Sequence, residues 1–414
     1  MCSANLRRMT ALVRTLNEGD VAGWVQCMRT GFLADAVAGE VEYRRKTMDL
    51  DRSRGAFDSD RVVGTLRSFA TALTVPGPAE VAASALTNVT VLSTHRRRGI
   101  LTQMVTGDLR DSAERGETVG ILIASEYGIY GRFGYGAAVE NASYRIDSSQ
   151  ARFREEGTGT VELVDVGTIR SEAPPLYETF RATQPGAIGR GGHWWDRTLH
   201  LDDGPGTEDR RGYQALYRSS SGDPQGYLRY RGTQQWDQAR PDSILHVDEL
   251  LATSPEAYHR LWTYCCDVDL VSTVEAPNRS VDEPLIWMLA DARAVRQTAR
   301  FDFIWIRLLN IPDALSARRY LVDGQVVIEV ADDLGLTEGR YRLEGGPSGA
   351  SCVPTSSSAD ISLGVDALGS AYLGGVSLRT LGQAGRVVEH RHGTLARADA
   401  MFRSPVLPWC TTWF

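Results

Sequence analysis

Residues 87–135 read TNVTVLSTHRRRGILTQMVTGDLRDSAERGETVGILIASEYGIYGRFGY. The run Val89-Thr90-Val91 is β-branched and suits a pleated, half-buried strand. A polar break, Ser93-Thr94-His95, leads into Arg96, Arg97, Arg98 and Gly99. From Ile100 the period changes. Ile100, Leu101, Met104, Val105 and Leu109 recur at three- and four-residue steps, the pattern of one buried helix face. Gly116, free to take positive φ, is placed to stop that helix. A second apolar strand follows over 119–124. The arginine–glycine turn therefore sits where a strand hands over to a helix.

That position has a physical use. The first turn of a helix carries unpaired N–H groups and the positive end of the helix dipole. Gly99 lacks a Cβ, so a ligand can come close to the backbone there. The neighbouring arginines add fixed charge and forked donors, and together these features make a cradle for a pyrophosphate. Taken alone, the arginine triplet fits a solvated basic turn opening an ordinary surface helix better than it fits a cradle.

Arg96-x-x-Gly99 between strand and helix resembles the acetyl-coenzyme A (acetyl-CoA) motif of the GNAT N-acetyltransferases. That motif ends in Gly or Ala two places after the glycine, where this chain has Leu101. The departure is shared by the enhanced intracellular survival (Eis) branch. VTVLSTHRRRGIL, SEYGIYGRFGYG and a sequence ending in Phe414 resemble the same branch, with weaker likeness through FIWIRLLNIPDALSARRY and LGSAYLGG. The resemblance implies an α/β (α+β) chain of two GNAT-like mixed-sheet domains, over 1–150 and 151–298. A sterol-carrier-protein-like domain over 299–414 follows them.

Composition fits. A chain of 414 residues is too long for one ordinary core, and 42% hydrophobic with 23% charged residues is globular usage. The net charge of −7 argues against non-specific nucleic-acid binding and suits a cationic substrate. No apolar run is long enough for a bilayer, and the first twenty residues lack a signal-peptide core. The six cysteines have no CxxC spacing, which suggests buried thiols in a reducing compartment. His193, His200, His246, His259, His390 and His392 show no metal-ligand pattern, so no metal is expected. The expectation is a cytoplasmic enzyme with no nucleic-acid or membrane partner.

In chain order, Asp20 is placed to cap a helix from Val21, and Asp35 lies in the loop that follows it. Strands are expected over 52–57, 61–69 and 82–91, with 138–146 completing the first domain. In the second domain a helix is marked by Leu176, Tyr177 and Phe180, and Trp194-Trp195 marks a packed corner. A hairpin over 215–218 and 227–231 precedes a strand over 244–252, a helix over 255–267 opened by Ser254, and a strand over 270–274. The loop Ala252-Thr253-Ser254-Pro255 has neither glycine nor arginine, so this domain is not expected to bind coenzyme A. The third region reads as strands over 306–309, 326–330 and 340–344 and helices over 312–318, 365–373 and 394–402. Residues 346–358 read as a surface connection. Trp409 and Trp413 argue for a packed tail.

Acetyl transfer from a thioester to an amine needs a neutral amine, a polarised carbonyl and a proton for the leaving thiolate. The strand at Val89, Thr90 and Val91 can offer backbone groups to the pantetheine arm. Arg97, Arg98, Gly99, Ile100, Leu101 and Thr102 form the cradle, and Ser125 and Glu126 follow the next strand as cofactor contacts. The resemblance implies that Tyr130 protonates the coenzyme A sulfur. A phenol near pKa ~10 is protonated at neutral pH, and the thiol it would serve has a pKa of ~8.5. Tyr135 reads as structural and His95 as a surface turn residue. The resemblance also implies that the α-carboxylate of Phe414 acts on the substrate amine. At pKa ~3.5 against ~10.4, outright proton abstraction would cost about 9 kcal/mol, so its role is to orient the ammonium and relay the proton. Asp35 and Trp413 are candidates for the substrate wall; Trp413 stands where the family carries an acidic residue. The implied substrates are small cationic amines (aminoglycosides or polyamines) or protein lysines, and the implied assembly is a homohexamer. A non-catalytic binding or regulatory protein using the same cavity or the C-terminal domain is the alternative.

Overall fold

The computed structural model describes residues 11–202 and 212–414. It opens with β1 (Leu12–Thr15), α1 (Val21–Gly31), α2 (Glu40–Thr47), β2 (Ser53–Asp58), β3 (Arg61–Val75) and β4 (Ala79–Val91). Next come α3 (Ile100–Glu114), β5 (Val119–Ile123), α4 (Tyr127–Tyr130) and β6 (Gly136–Ala137). A second set comprises β7 (Glu140–Asp147), β8 (Thr160–Val164), α5 (Val166–Arg181), α6 (Gly192–Thr198), β9 (Tyr213–Arg218) and β10 (Pro224–Thr233). It continues through a small ribbon, β11 (Trp236–Asp237) with β12 (Arg240–Pro241), to β13 (Ser243–Ala252), α7 (Pro255–Asp267), β14 (Val271–Ser280), α8 (Leu285–Met288) and β15 (Val295–Asp302). The remainder is β16 (Ile304–Leu308), α9 (Ile311–Ala317), β17 (Gly324–Ala331), β18 (Gly339–Gly346), β19 (Gly349–Pro354), β20 (Ile361–Gly364), α10 (Val365–Ala371), α11 (Leu378–Gln383), β21 (Val387–Glu389) and α12 (Thr394–Phe402).

Three large sheets result, in the orders β1-β2-β3-β4-β5-β16-β6, β15-β7-β14-β13-β10-β9-β8 and β19-β18-β17-β20-β21. Two strands sit in sheets other than those the linear order suggests. The strand expected to complete the first domain, β7, lies between β15 and β14 in the second sheet. Its place in the first sheet is taken by β16, which runs antiparallel to β5 with Ile306 opposite Ile121. All five residues of β16 are buried: Ile304, Ile306 and Leu308 join the core shared with α10, Trp305 joins the other core of the first sheet, and the one charged residue, Arg307, is paired with Asp332. One continuous core accordingly joins Ala85, Ile121 and Ile306 to Leu315, Leu368 and Phe402.

Local corrections have simple causes. Asp20 does not cap α1: it already has helical angles (φ −79°, ψ −20°), so its carboxylate turns to Arg14 and to the Asn17 N–H, 2.8 Å away. Residues 346–358 are not only a connection. They carry the edge strand β19, whose Cys352 faces the core while its neighbours face water. His95 is buried, its Nε2 3.0 Å from Asp58 and its Nδ1 2.8 Å from Thr94, and so ties the β2–β3 turn to the basic loop.

Candidate active site

Strands β4 and β5 pair in parallel only from Ala83–Val119 to Leu86–Leu122, and beyond that they part. On the other side β4 stays bonded to β3, with a bulge between Thr87 and Thr90, where Asn88 takes a φ of +53°. Residues 87–91 thus present one unpaired strand edge into the splay, half-buried along its length. Gly31, at the end of α1, lies against Thr90: a Cβ there would stand 1.8 Å from its Oγ1.

At the end of this edge the chain makes a turn over Ser93–His95 and then enters α3 through Arg97 (φ +62°) and Gly99 (φ +79°). No side chain caps α3, so the N–H groups of Ile100, Leu101 and Thr102 face the cradle without an internal partner. The Ile100 side chain is buried in the core, which leaves its backbone as the part available to a ligand. Arg97, Arg98, Gly99 and Thr102 are exposed, and Arg98 donates to the Thr94 carbonyl at 3.0 Å. Arg96 lies 3.5 Å from Glu126, so the exposed Ser125-Glu126 pair faces the basic loop across the splay. A Cβ on Gly99 would meet nothing within 4 Å; what the position requires is its positive φ. These features fit a diphosphate at the helix start and an extended amide-bearing arm along the strand.

Tyr130 ends α4, beyond the splay, and is 8% exposed. Its ring packs edge-on against Tyr135 at 6.2 Å, and among the described residues its hydroxyl has no hydrogen-bond partner. Burial, reinforced by Glu126, pushes its phenol up to about 12. Tyr135 is fully buried under Gly120 and belongs to the core. The loop after Tyr130 is held by Arg307 of β16, which donates to the Phe133 carbonyl at 2.5 Å and to Asp332 at 2.7 Å, with neither charged side chain exposed. Asp332, just past β17, also accepts the N–H groups of Leu334, Leu336 and Thr337. The third domain therefore braces the Tyr130 loop.

The tail crosses the second domain to reach the first. Trp409 is buried, donates through Nε1 to the Asn278 carbonyl at 2.9 Å and lies 4.8 Å from the Arg279 guanidinium. Asn141 holds the Cys410 carbonyl at 2.8 Å. Thr412 Oγ1 meets Arg190 Nε at 2.8 Å and the Tyr177 hydroxyl at 3.0 Å, and Thr411 Oγ1 accepts from Arg190 at 2.7 Å. Arg190 is buried, paired with Glu249 at 2.7 Å and stacked on Tyr177 and Trp194. Burial would lower its affinity for a proton, but Glu249 holds it above the usual arginine range. Phe414 then lands on the first sheet, its ring 5.5 Å from Phe69 of β3 and perpendicular to it. Trp413 is 61% exposed with its ring 5.5 Å from Phe303, and Asp35 is exposed in the α1–α2 loop without a partner among the described residues. Nothing in the sequence reading pointed to Arg190, Thr411, Thr412 or Arg307; each acts on residues distant in the chain.

A model of the acetyltransferase (GNAT) domain matches residues 12–138, another of that description matches 186–308, and a sterol carrier protein domain model matches 311–411. N-acetyltransferase Eis of Mycobacterium tuberculosis is 35% identical over 85% of this chain and 86% of its own length. The chain belongs to the Eis family of GNAT N-acetyltransferases. An Eis-family member is an acetyltransferase, and its GNAT fold implies acetyl-CoA use. An uncharacterized N-acetyltransferase of Streptomyces avermitilis is 41% identical over 97% of this chain and 98% of its own. The crystal structure of Eis1 from Mycobacterium abscessus superposes with a TM-score of 0.85 at 35% identity, covering 97% of this chain and 100% of that one. A GCN5-related N-acetyltransferase from Anabaena variabilis, at 19% identity and a TM-score of 0.84, shares the fold. Among the described residues no cluster of three or more His, Cys, Asp or Glu could hold a metal, and no helix is long and apolar enough to cross a membrane.

Proposed function

We propose that the protein transfers an acetyl group from acetyl-CoA to a primary amine, with Tyr130 as proton donor and the Phe414 α-carboxylate acting on the amine. The observation that carries this reading is the splay. An unpaired β4 edge, an uncapped α3 and an unpartnered tyrosine hydroxyl follow one another in the chain around the parting of β4 and β5. Val89, Thr90 and Val91 would hold the pantetheine arm; Arg97, Arg98 and the N–H groups from Gly99 to Thr102 would hold the diphosphate, with Ser125 and Glu126 on the facing wall. The bound acetyl-CoA supplies an activated thioester.

The chain's own groups do the rest. Tyr130, with its phenol at about 12, keeps its proton at neutral pH. Against a thiol near 8.5, full transfer would be uphill by about 5 kcal/mol, so the phenol shares its proton with the departing sulfur rather than surrendering it early. On the opposite face of the sheet the Phe414 ring anchors the tail on Phe69, which leaves the carboxylate to orient an ammonium and pass its proton to water. Aminoglycosides, polyamines and lysine side chains are the amine classes the family suggests. A homohexamer and a cytoplasmic location rest on that resemblance and on the sequence alone.

Thiol release from acetyl-CoA with a panel of amines tests the reaction. Tyr130→Phe should bind acetyl-CoA normally and lose roughly two orders of magnitude in kcat. A C-terminal peptide extension should abolish turnover, since an amide replaces the carboxylate. Full turnover in the extended enzyme would remove Phe414 from the mechanism, and near-normal turnover in Tyr130→Phe would do the same for the tyrosine.

A further inference from the structure

Neighbouring side chains on β3 face opposite sides of the first sheet. Leu66 packs in the core beneath α3, and Ser68 donates to Asp108 of α3 at 2.8 Å. Arg67, Phe69 and Thr71 must therefore face the other way, toward the tail and the second domain. Two contacts agree: Phe69 meets the Phe414 ring, and the Thr71 hydroxyl donates to the Gly189 carbonyl at 3.1 Å. Arg67 is thus the next residue along the strand face on which the tail ends.

Its surroundings are unusual for a guanidinium. Arg67 is half-buried, and among the described residues it has no hydrogen bond or ion pair; its Nε is sealed from solvent with no acceptor. The helix α2 brings Arg44 to the same side, since the adjacent Tyr43 hydroxyl reaches Asp202 at 2.7 Å and His193 at 3.0 Å across the domain boundary. Arg44 is buried too, its Nε also lacks an acceptor, and its one carboxylate, Glu40 at 3.5 Å, is shared with Arg29 at 2.6 Å. Burial first, then Arg44 and Arg197, outweigh Asp49 and Tyr43 and bring Arg67 down to about 10. A positive charge kept half-dry beside other positive charges is costly. An anion would relieve it.

Resting on the acetyl-transfer reading, we infer that the acceptor is an amine carrying an anionic group, a carboxylate or a phosphate, which Arg67 binds with the support of Arg44 and Arg197 while the amine lies at the Phe414 end. The separation follows from the strand: residues two apart on one face are roughly 7 Å apart, so amine and anion should be separated by a chain of several bonds. The exposed Trp413 beside this face adds an aromatic surface for such a chain and no negative charge.

A matched set of six-carbon amines tests it: ε-aminocaproate, aminohexyl phosphate and hexanediamine, each assayed by thiol release with wild type, Arg67→Leu and Arg67→Lys. Wild type should prefer one or both anionic amines over hexanediamine by tenfold or more in kcat/KM, and the better of the two identifies the anion. Arg67→Leu should lose that preference, mainly through KM for the anionic amine, while gaining on hexanediamine; Arg67→Lys should recover part of it. The thermal midpoint of Arg67→Leu should hold or rise, because an unpaired half-buried charge is gone. Wild-type preference for hexanediamine, or an amine ratio that Arg67→Leu leaves unmoved, overturns this inference and leaves acetyl transfer intact. No thiol release with any of the three, while the wider amine panel gives release, overturns this inference alone; silence across the wider panel as well overturns the acetyl-transfer reading.

Discussion

Replacing Thr412 by Val tests whether the second domain positions Phe414 for the role proposed for its carboxylate. Thr412 is 1% exposed, and its hydroxyl takes part in two hydrogen bonds, to Arg190 at 2.8 Å and to Tyr177 at 3.0 Å. Valine has nearly the same shape, so the change removes these bonds without opening a large cavity. A hydrogen bond to a charged donor contributes about 1.5–3 kcal/mol. Arg190 keeps Glu249 and Thr411, so it is not left unpaired. The tail keeps its hold at Trp409 and Cys410. Loss is therefore confined to the last residues, whose docked population should fall by roughly 10–100-fold if docked and undocked ends are closely balanced. The expected result is a kcat lower by that factor, an unchanged KM for acetyl-CoA, and recovery in Thr412→Ser. Initial rates of thiol release measure the first two, and calorimetric unfolding should show a drop of only a few degrees. A Thr412→Val enzyme with wild-type kcat and reduced stability would show that the clamp holds the fold and has no part in placing Phe414.

Further expectations concern the cradle, the brace and the proton donor. Gly99→Val forces a β-branched residue to a φ of +79°, a strain of about 1–3 kcal/mol, and should weaken acetyl-CoA binding tenfold or more by calorimetry. Gly99→Asn should be milder, because asparagine tolerates that region. Asp332→Asn leaves Arg307 buried without its counter-charge and should cost about 3–5 kcal/mol in denaturant unfolding at neutral pH. Burial alone would raise the Asp332 carboxyl, but Arg307 holds it below the usual range. Its contribution is thus present above the unfolded pKa of ~3.9 and lost as the pH falls through the lower folded value, so wild type and Asp332→Asn should begin to converge in stability below about pH 4 and meet only below that folded value. With Tyr130 at about 12, kcat should show no basic limb up to about pH 10; a limb centred near the free phenol value of ~10 would mean the hydroxyl is well solvated.

The cradle could be read in the sequence because it is local. A change of period from two to nearly four, with arginines and a glycine between, occupies one short stretch, and β4, α3 and β5 lie where that pattern puts them. Ser254 is a similar case: it caps α7 through the Ala257 N–H. What pattern cannot carry is partnership at a distance. A mostly apolar run such as 304–308 announces a buried strand but not its sheet, so the linear order gives β16 and β7 the wrong neighbours. Arg190 and Arg307 look like surface arginines until Glu249 and Asp332 stand beside them, and His95 looks like a turn residue until Asp58 is found behind it. Arg67 interrupts an apolar strand, and only the shared face with Phe69 gives that interruption a meaning.

The two GNAT domains have put the same opening to different uses. In the second sheet β13 and β14 pair in parallel from Ser243–Val271 to His246–Glu275 and then part, as β4 and β5 do. Here the gap is filled from within the chain: Arg279 donates across it to the Leu250 carbonyl at 2.6 Å and to the Glu283 side chain at 3.0 Å, and Trp409 of the tail lies over the guanidinium. The helix beyond, α7, begins with the Ser254 hydroxyl accepting the Ala257 N–H and with Pro255 lacking an N–H, so its start is not left open as that of α3 is. In the first domain the corresponding strand edge and helix start are left open. A splay that must admit and release a ligand cannot also grip a permanent segment. The repeated domain, freed from binding a cofactor, can hold the tail at Trp409, Cys410, Thr411 and Thr412 with buried charge and aromatic packing, and thereby fix Phe414 on a sheet to which it is not covalently close. If Phe414 acts as proposed, that division of labour predicts that turnover depends on Arg190 and Glu249, far from the cradle in sequence.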